Sequence, residues 1–84
     1  MHYVYILWSK EDQKFYIGFT KDLERRMKEH EQGQCHTTVR MIAPKLVFYE
    51  AYLSEIDALR REEYFKTTKG KKTLRLMLRE SLKI

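Results

Sequence analysis

Five residues stand where a small fold pays to keep polar groups: Tyr5, Tyr16, Arg26, His30 and Glu62. At helical spacing Leu23, Met27 and His30 fall on one stripe over 21–32. Arg26 lies on its flank and Arg25 points away. A guanidinium held against a domain must find an anion. It makes an internal salt bridge, lets its stem snorkel, or forms a fork for phosphate oxygens. On 55–67, Ala58, Leu59 and Phe65 mark the inner side, and Glu62 falls between them. Arg60 and Arg61 fall opposite. A carboxylate among apolar neighbours calls for Arg26, a lysine or a hard divalent cation, which prefers oxygen ligands. Glu63 is the rival carboxylate.

The two tyrosines belong to an expected hairpin. Tyr3, Tyr5 and Leu7 share one face of a strand, and Tyr16, Gly18 and Thr20 share one face of the next. A register that pairs Trp8 with Phe15 sets Tyr5 opposite Gly18, with Tyr16 one diagonal away. The absent side chain leaves an opening between two phenols, facing the helix that carries Arg26.

The elements that must hold these groups are short. Strands are expected at 3–8, 15–19 and 46–53, where β-branched and aromatic residues concentrate. Thr20 is the expected N-cap of the first helix, over 21–32, and Gly33 its stop. A loop fills 33–45. Ser54 and Asp57 resemble a capping box for a helix over 55–67. Gly70 is read as a break before a third helix over 72–83, whose stripe is Leu74, Met77, Leu78 and Leu82. Met27 and Met77 are read as core filler. The order β-β-α-β-α-α implies an α+β fold, a small three-stranded antiparallel sheet flanked by helices.

Eighty-four residues give one domain with a small core. Thirteen per cent aromatic content argues against a chain that stays open. No apolar run is long enough to cross a bilayer, and no charged stretch precedes an apolar one at Met1–Tyr5, so a cytoplasmic location without a secretory leader is expected. The single cysteine, Cys35, cannot build an internal disulfide. With His30 and His36 it falls short of a four-ligand zinc set. The net charge of +5 is uneven: residues 1–65 carry ten Lys/Arg against eleven Asp/Glu, and residues 66–84 seven against one. A basic end on an aromatic-rich chain implies a polyanion partner, or a solvated helix face. Lys69, Lys71, Lys72 and Arg75 are the candidate nucleic-acid contacts there. His36 and Thr37 are further candidates, in a loop at the site mouth.

The run Tyr3-Val4-Tyr5, then Tyr16-Ile17-Gly18, then Arg26 and His30, then Glu62 on a later helix resembles the GIY-YIG nuclease family. Tyr3 and Val4 replace the first motif's Gly and Ile; the second motif is intact. The resemblance spans nearly all of 1–84 as one nuclease-like domain, and is nearest to small stand-alone bacterial members. It implies single-metal hydrolysis of phosphodiester bonds in DNA, with RNA left open as a partner, in repair or recombination. Glu62 matches the ligand of Mg²⁺ or Mn²⁺, and Arg26 the arginine at the scissile phosphate. Tyr5 and Tyr16 match the tyrosines that position or deprotonate water, and His30 matches a histidine one turn after the arginine. Phe19 stands where some members have lysine, and the chain has no asparagine for the position others use. Target choice would come from the module itself, a protein partner or a homodimer. The alternatives are a non-catalytic nucleic-acid-binding module and a structural domain whose misplaced charges are internal ion pairs.

Overall fold

The computed structural model describes residues 1–35 and 38–84. The candidate contacts His36 and Thr37 lie outside the described residues. The elements are β1 (His2–Ser9), β2 (Lys14–Thr20), α1 (Leu23–Glu31), β3 (Lys45–Tyr52), α2 (Glu55–Phe65) and α3 (Thr68–Met77), with short 3₁₀ turns at Thr38–Arg40 and Ser81–Lys83. The sheet is three-stranded and antiparallel, as the sequence implies, and its strand order is β2-β1-β3. No described helix is long and apolar enough to cross a membrane.

β1 is central, with a strand on each edge and helices over both faces, and it is buried continuously from Val4 to Ser9. Val4 and Ile6 point to one face and join Ile17, Ala58, Phe65, Leu74 and Leu78 in the core. α2 and α3 therefore occupy that face. Tyr5 points to the other, where α1 lies. The hairpin register is the expected one: Trp8 pairs with Phe15 and Tyr5 with Gly18. Ser9 is fully buried but satisfied. Its hydroxyl donates to the Ile42 carbonyl at 2.6 Å and accepts from the Asp12 amide at 3.1 Å, tying the hairpin turn to the loop before β3.

Several boundaries differ from the sequence expectation. Asp22, not Thr20, caps α1: its carboxylate accepts from the Arg25 amide at 3.1 Å. Thr20 remains in β2, and its hydroxyl accepts from the Asp22 amide at 3.1 Å. Gly33 does follow the helix, at φ +71°, the conformation glycine adopts without strain. Ser54 precedes α2 but its hydroxyl makes no capping bond. α3 starts at Thr68 rather than 72, because Thr67 caps it by accepting from the Gly70 amide at 2.9 Å. Gly70 is thus helical, not a break. A Cβ there would land on the Tyr64 carbonyl, so glycine is what lets the two helices turn so tightly. α3 also ends early, at Met77, which is 43% exposed rather than core.

On α2 the buried centre is Ala58 and Phe65. Leu59, expected on the inner side, is 39% exposed. Arg61, expected on the outer side, faces inward: its guanidinium lies 4.2 Å from the Phe65 ring and donates to Glu50 at 2.9 Å. The real stripe is rotated toward Arg61, leaving Glu62 on its opposite flank.

Gly70→Ala separates helix propensity from close approach. In an exposed helix the change stabilises by about 1 kcal/mol. Here overpacking on the Tyr64 carbonyl should reverse the sign, with a loss of about 1–3 kcal/mol in thermal or urea unfolding.

Candidate active site

β2 is an edge strand, and the site is built around that edge. Tyr16 and Arg26 come from the α1 side of the sheet and Glu62 from the α2 side. They meet over β2 in one open concavity of about 520 Å³, lined also by Gly18, Lys66 and Lys71. Glu63 is exposed and takes no part.

Tyr5 is not on the concavity wall. It is fully buried, because β1 is covered on both faces, and its ring passes beneath Gly18. Any side chain at Gly18 would collide with that ring. Tyr5 acts on the site through its hydroxyl. The oxygen accepts from Arg26 Nε at 3.1 Å and lies 2.9 Å from His30 Nε2. His30 Nδ1 is in turn 2.6 Å from the hydroxyl of Thr38, which is buried. With Tyr5 donating to Nε2 and Nδ1–H donating to Thr38, no donor opposes a donor. The Tyr16 ring packs edge-on against His30 at 5.3 Å and beside Tyr5 at 6.1 Å.

The electrostatics follow from this packing. Burial raises the Tyr5 phenol well above its ordinary value and outweighs the Arg26 hydrogen bond that lowers it. A cation that would make Tyr5 acidic therefore does not win, and Tyr5 stays protonated. The Tyr5 and Glu29 hydrogen bonds hold the Arg26 guanidinium charged. Burial, and then the Arg26 charge, lower His30 below its usual range, so its imidazole is neutral near pH 7.

Arg26 and Glu62 make no ion pair with each other. Arg26 Nη1 bonds Glu29 at 3.0 Å. The Cys35 thiol completes the surround, 3.9 Å from Arg26 Nη2 and 3.8 Å from the Tyr16 hydroxyl, to which it donates. Glu62 is paired with Lys66 at 3.4 Å. An i,i+4 pair on a helix, here with its lysine exposed, contributes only about 0.3–0.5 kcal/mol. Among the described residues no three His, Cys, Asp or Glu side chains are grouped so that they could hold a metal ion by themselves. Of the basic residues proposed for nucleic acid, Lys71 reaches the concavity and Lys69 and Lys72 are exposed elsewhere on α3. Arg75 is turned back onto the hairpin, 5.3 Å from the Trp8 ring and 5.4 Å from Phe15, with a bond to the Gln13 carbonyl at 3.4 Å.

Glu29 and Lys66 are members of the site that sequence reasoning does not single out; Cys35 and Thr38 belong to the loop it places at the site mouth, without the partners they have here. Glu29 and Lys66 carry a signal, being three and four residues from Arg26 and Glu62 on their helices. The partners of Cys35 and Thr38 carry no such signal, since the loop that holds these residues has no periodicity.

A three-stranded antiparallel sheet with helices on both faces, carrying tyrosine, arginine and glutamate around one edge strand, defines the class of domain. Residues 1–75 match the GIY-YIG catalytic domain, and the chain belongs to that family. It is similar to the UPF0213 protein of Clostridium perfringens, 38% identical over 84 residues, covering 99% of this chain and 89% of that one. The UPF0213 protein of Staphylococcus saprophyticus is 36% identical over 77 residues, with coverage of 90% and 93%. The solution NMR structure of the UPF0213 protein from Bacillus halodurans matches 90% of this chain and 83% of its own, with a TM-score of 0.58 at 34% identity.

His30 gives the site a pH signature. The unfolded chain takes up a proton near pH 6.5 that the folded imidazole resists. The contribution to stability is present above about pH 6.5 and lost as pH falls through the lowered folded value. Melting temperatures between about pH 7.5 and 5 should therefore drop more steeply for the wild type than for His30→Gln. Parallel curves would show that His30 is not held neutral.

Proposed function

We propose that the protein is a divalent-metal-dependent endonuclease that hydrolyses phosphodiester bonds in DNA, in the chemistry of repair or recombination. The observation that carries this reading is a guanidinium and a carboxylate facing one open concavity without pairing to each other. Arg26 offers a charged fork to two phosphate oxygens. Glu62 offers oxygens to a hard cation. Among the described residues its one charged partner is an exposed lysine, so it fits that duty. Mg²⁺ is commonly held by one or two carboxylates, with water and phosphate oxygens for the rest. When bound, Mg²⁺ or Mn²⁺ supplies Lewis-acid stabilisation of charge on the phosphate.

The other roles follow from access. Tyr16 is the tyrosine on the wall, suited to orient the attacking water. Tyr5, buried and protonated, positions Arg26 and keeps His30 in register. Neutral His30, packed edge-on against the Tyr16 ring, is the alternative proton acceptor among the described residues. Lys71 contacts the resting backbone of the strand.

A second reading, a non-catalytic nucleic-acid-binding module, draws on one observation. An uncapped Glu62 is expected of a metal ligand, yet Lys66 stands on it. Turnover separates the two. With single-stranded, duplex and branched DNA and with RNA, cleavage should require Mg²⁺ or Mn²⁺ and stop in EDTA. Glu62→Gln and Arg26→Lys should each lower the rate on the order of 10² or more, while Glu62→Gln keeps its melting temperature. Binding without cleavage of any of these would favour the module.

The basic residues divide into two kinds. Lys69, Lys71 and Lys72 to alanine should flatten the salt dependence of duplex binding, by roughly 0.9 in log–log slope for each phosphate no longer neutralised. Arg75→Ala should leave that slope unchanged and instead cost about 0.5–1 kcal/mol of stability, since its charge rests on Trp8 and Phe15.

A further inference from the structure

Lys66 is the first residue beyond α2 and caps it. Its ammonium lies 3.4 Å from Glu62 Oε2, and it lines the same concavity as Arg26 and Lys71. The two partners differ in freedom. The Glu62 side chain is 19% exposed and sits on a buried helix flank; that of Lys66 is 56% exposed on a flexible stem. Among the described residues, Glu62 has no other charged partner. The ammonium thus stands where an incoming cation would meet the carboxylate, and two cations on one carboxylate repel. Lys66 can swing away while Glu62 cannot.

We propose that Lys66 is a tethered counter-ion: it neutralises Glu62 in the resting protein, yields to a divalent cation, and on release pairs with a phosphate of the bound strand. This rests on the reading of Glu62 as the cation ligand. It gives the site a built-in order. Before the cation arrives, one positive charge is withheld from nucleic acid. After it arrives, Lys66 joins Arg26 and Lys71 against the backbone. Cation and nucleic acid then favour each other's binding, because each takes one half of a pair that otherwise closes on itself.

The test uses the full chain. Mg²⁺ is titrated into ¹⁵N-labelled protein, and the amide shifts of residues 62–66 report occupancy of Glu62 apart from any cleavage. Lys66→Gln should bind Mg²⁺ about two- to fivefold tighter than the wild type, as removal of a weak competing pair predicts, and Lys66→Arg should not. Duplex DNA binding is then measured against salt, once in EDTA and once in Ca²⁺. Lys66→Gln should lower the slope by roughly 0.9, the share of one phosphate, in Ca²⁺ and leave it unchanged in EDTA. Glu62→Gln should raise the EDTA slope by the same amount, and the double variant should abolish that gain. The pair is on the surface of one helix, so circular-dichroism melts should show all variants folded. Equal Mg²⁺ affinity in Lys66→Gln and wild type, or an equal fall in slope in both buffers, overturns the counter-ion role and leaves the proposed hydrolysis standing. A wild type whose α2 amides do not respond to Mg²⁺ overturns both. A wild type that does not bind duplex DNA in Ca²⁺ overturns the release onto phosphate together with the proposed substrate.

Discussion

The Tyr5 hydroxyl joins two elements, β1 and α1, at one atom. It belongs to the central strand, accepts from Arg26 and meets His30, both on α1. No side chain of α1 is fully buried, so this short helix is not anchored by a core of its own. Its polar links to Tyr5, and from His30 onward to Thr38, set its place on the sheet. The link exists because position 18 has no Cβ. The Tyr5 ring lies under Gly18, which brings the phenol toward the edge where Arg26 can reach it. Glycine here is a matter of space, since Gly18 has an ordinary strand conformation.

That geometry divides labour between two tyrosines that look alike in sequence. Burial makes the Tyr5 phenol a poor acid, which suits a fixed hydrogen-bond partner and not a base. Tyr16, on the edge strand, is half-buried and reaches the concavity. The difference arises from the sheet order. β1 has a strand on each side and helices on each face; β2 has one open side. A residue pair one diagonal apart therefore serves two purposes.

Much of this is legible in the sequence where local rules apply. Period two and an even hairpin loop put Tyr5 and Gly18 on one face, and the register that pairs Trp8 with Phe15 sets them opposite each other. Period 3.6 suffices to turn Arg26 and His30 to the same side of α1. The features that sequence misplaces need long-range information. A glycine hairpin partner suggests an open Tyr5; its burial depends on α1, whose Arg26 and His30 lie more than twenty residues away and close over the phenol. Placing Leu59 in the core turns Arg61 outward, and only the Glu50 carboxylate and the Phe65 ring show which flank the sheet prefers. Gly70 suggests a helix break because propensity is local, whereas the close approach of α2 is not.

The cations follow a pattern that charge counting cannot reveal. Arg61 is committed to Glu50, Arg75 to two aromatic rings, Lys28 to Glu24 and Arg25 to Glu29. Each of these secures an element of the fold or a helix surface. Lys71, by contrast, has no carboxylate partner among the described residues and faces the concavity, where the exposed Lys66 is held only by its pair with Glu62. Arg26 stands between the two groups, anchored through Nε and Nη1 yet still lining the wall. Anchoring lowers the entropy lost when a guanidinium meets a phosphate, and a fixed dipole need not reorganise as charge develops. An arginine committed on one side and open on the other is therefore better prepared to stabilise a transition state than a free one. The looser lysines are better suited to gathering the strand.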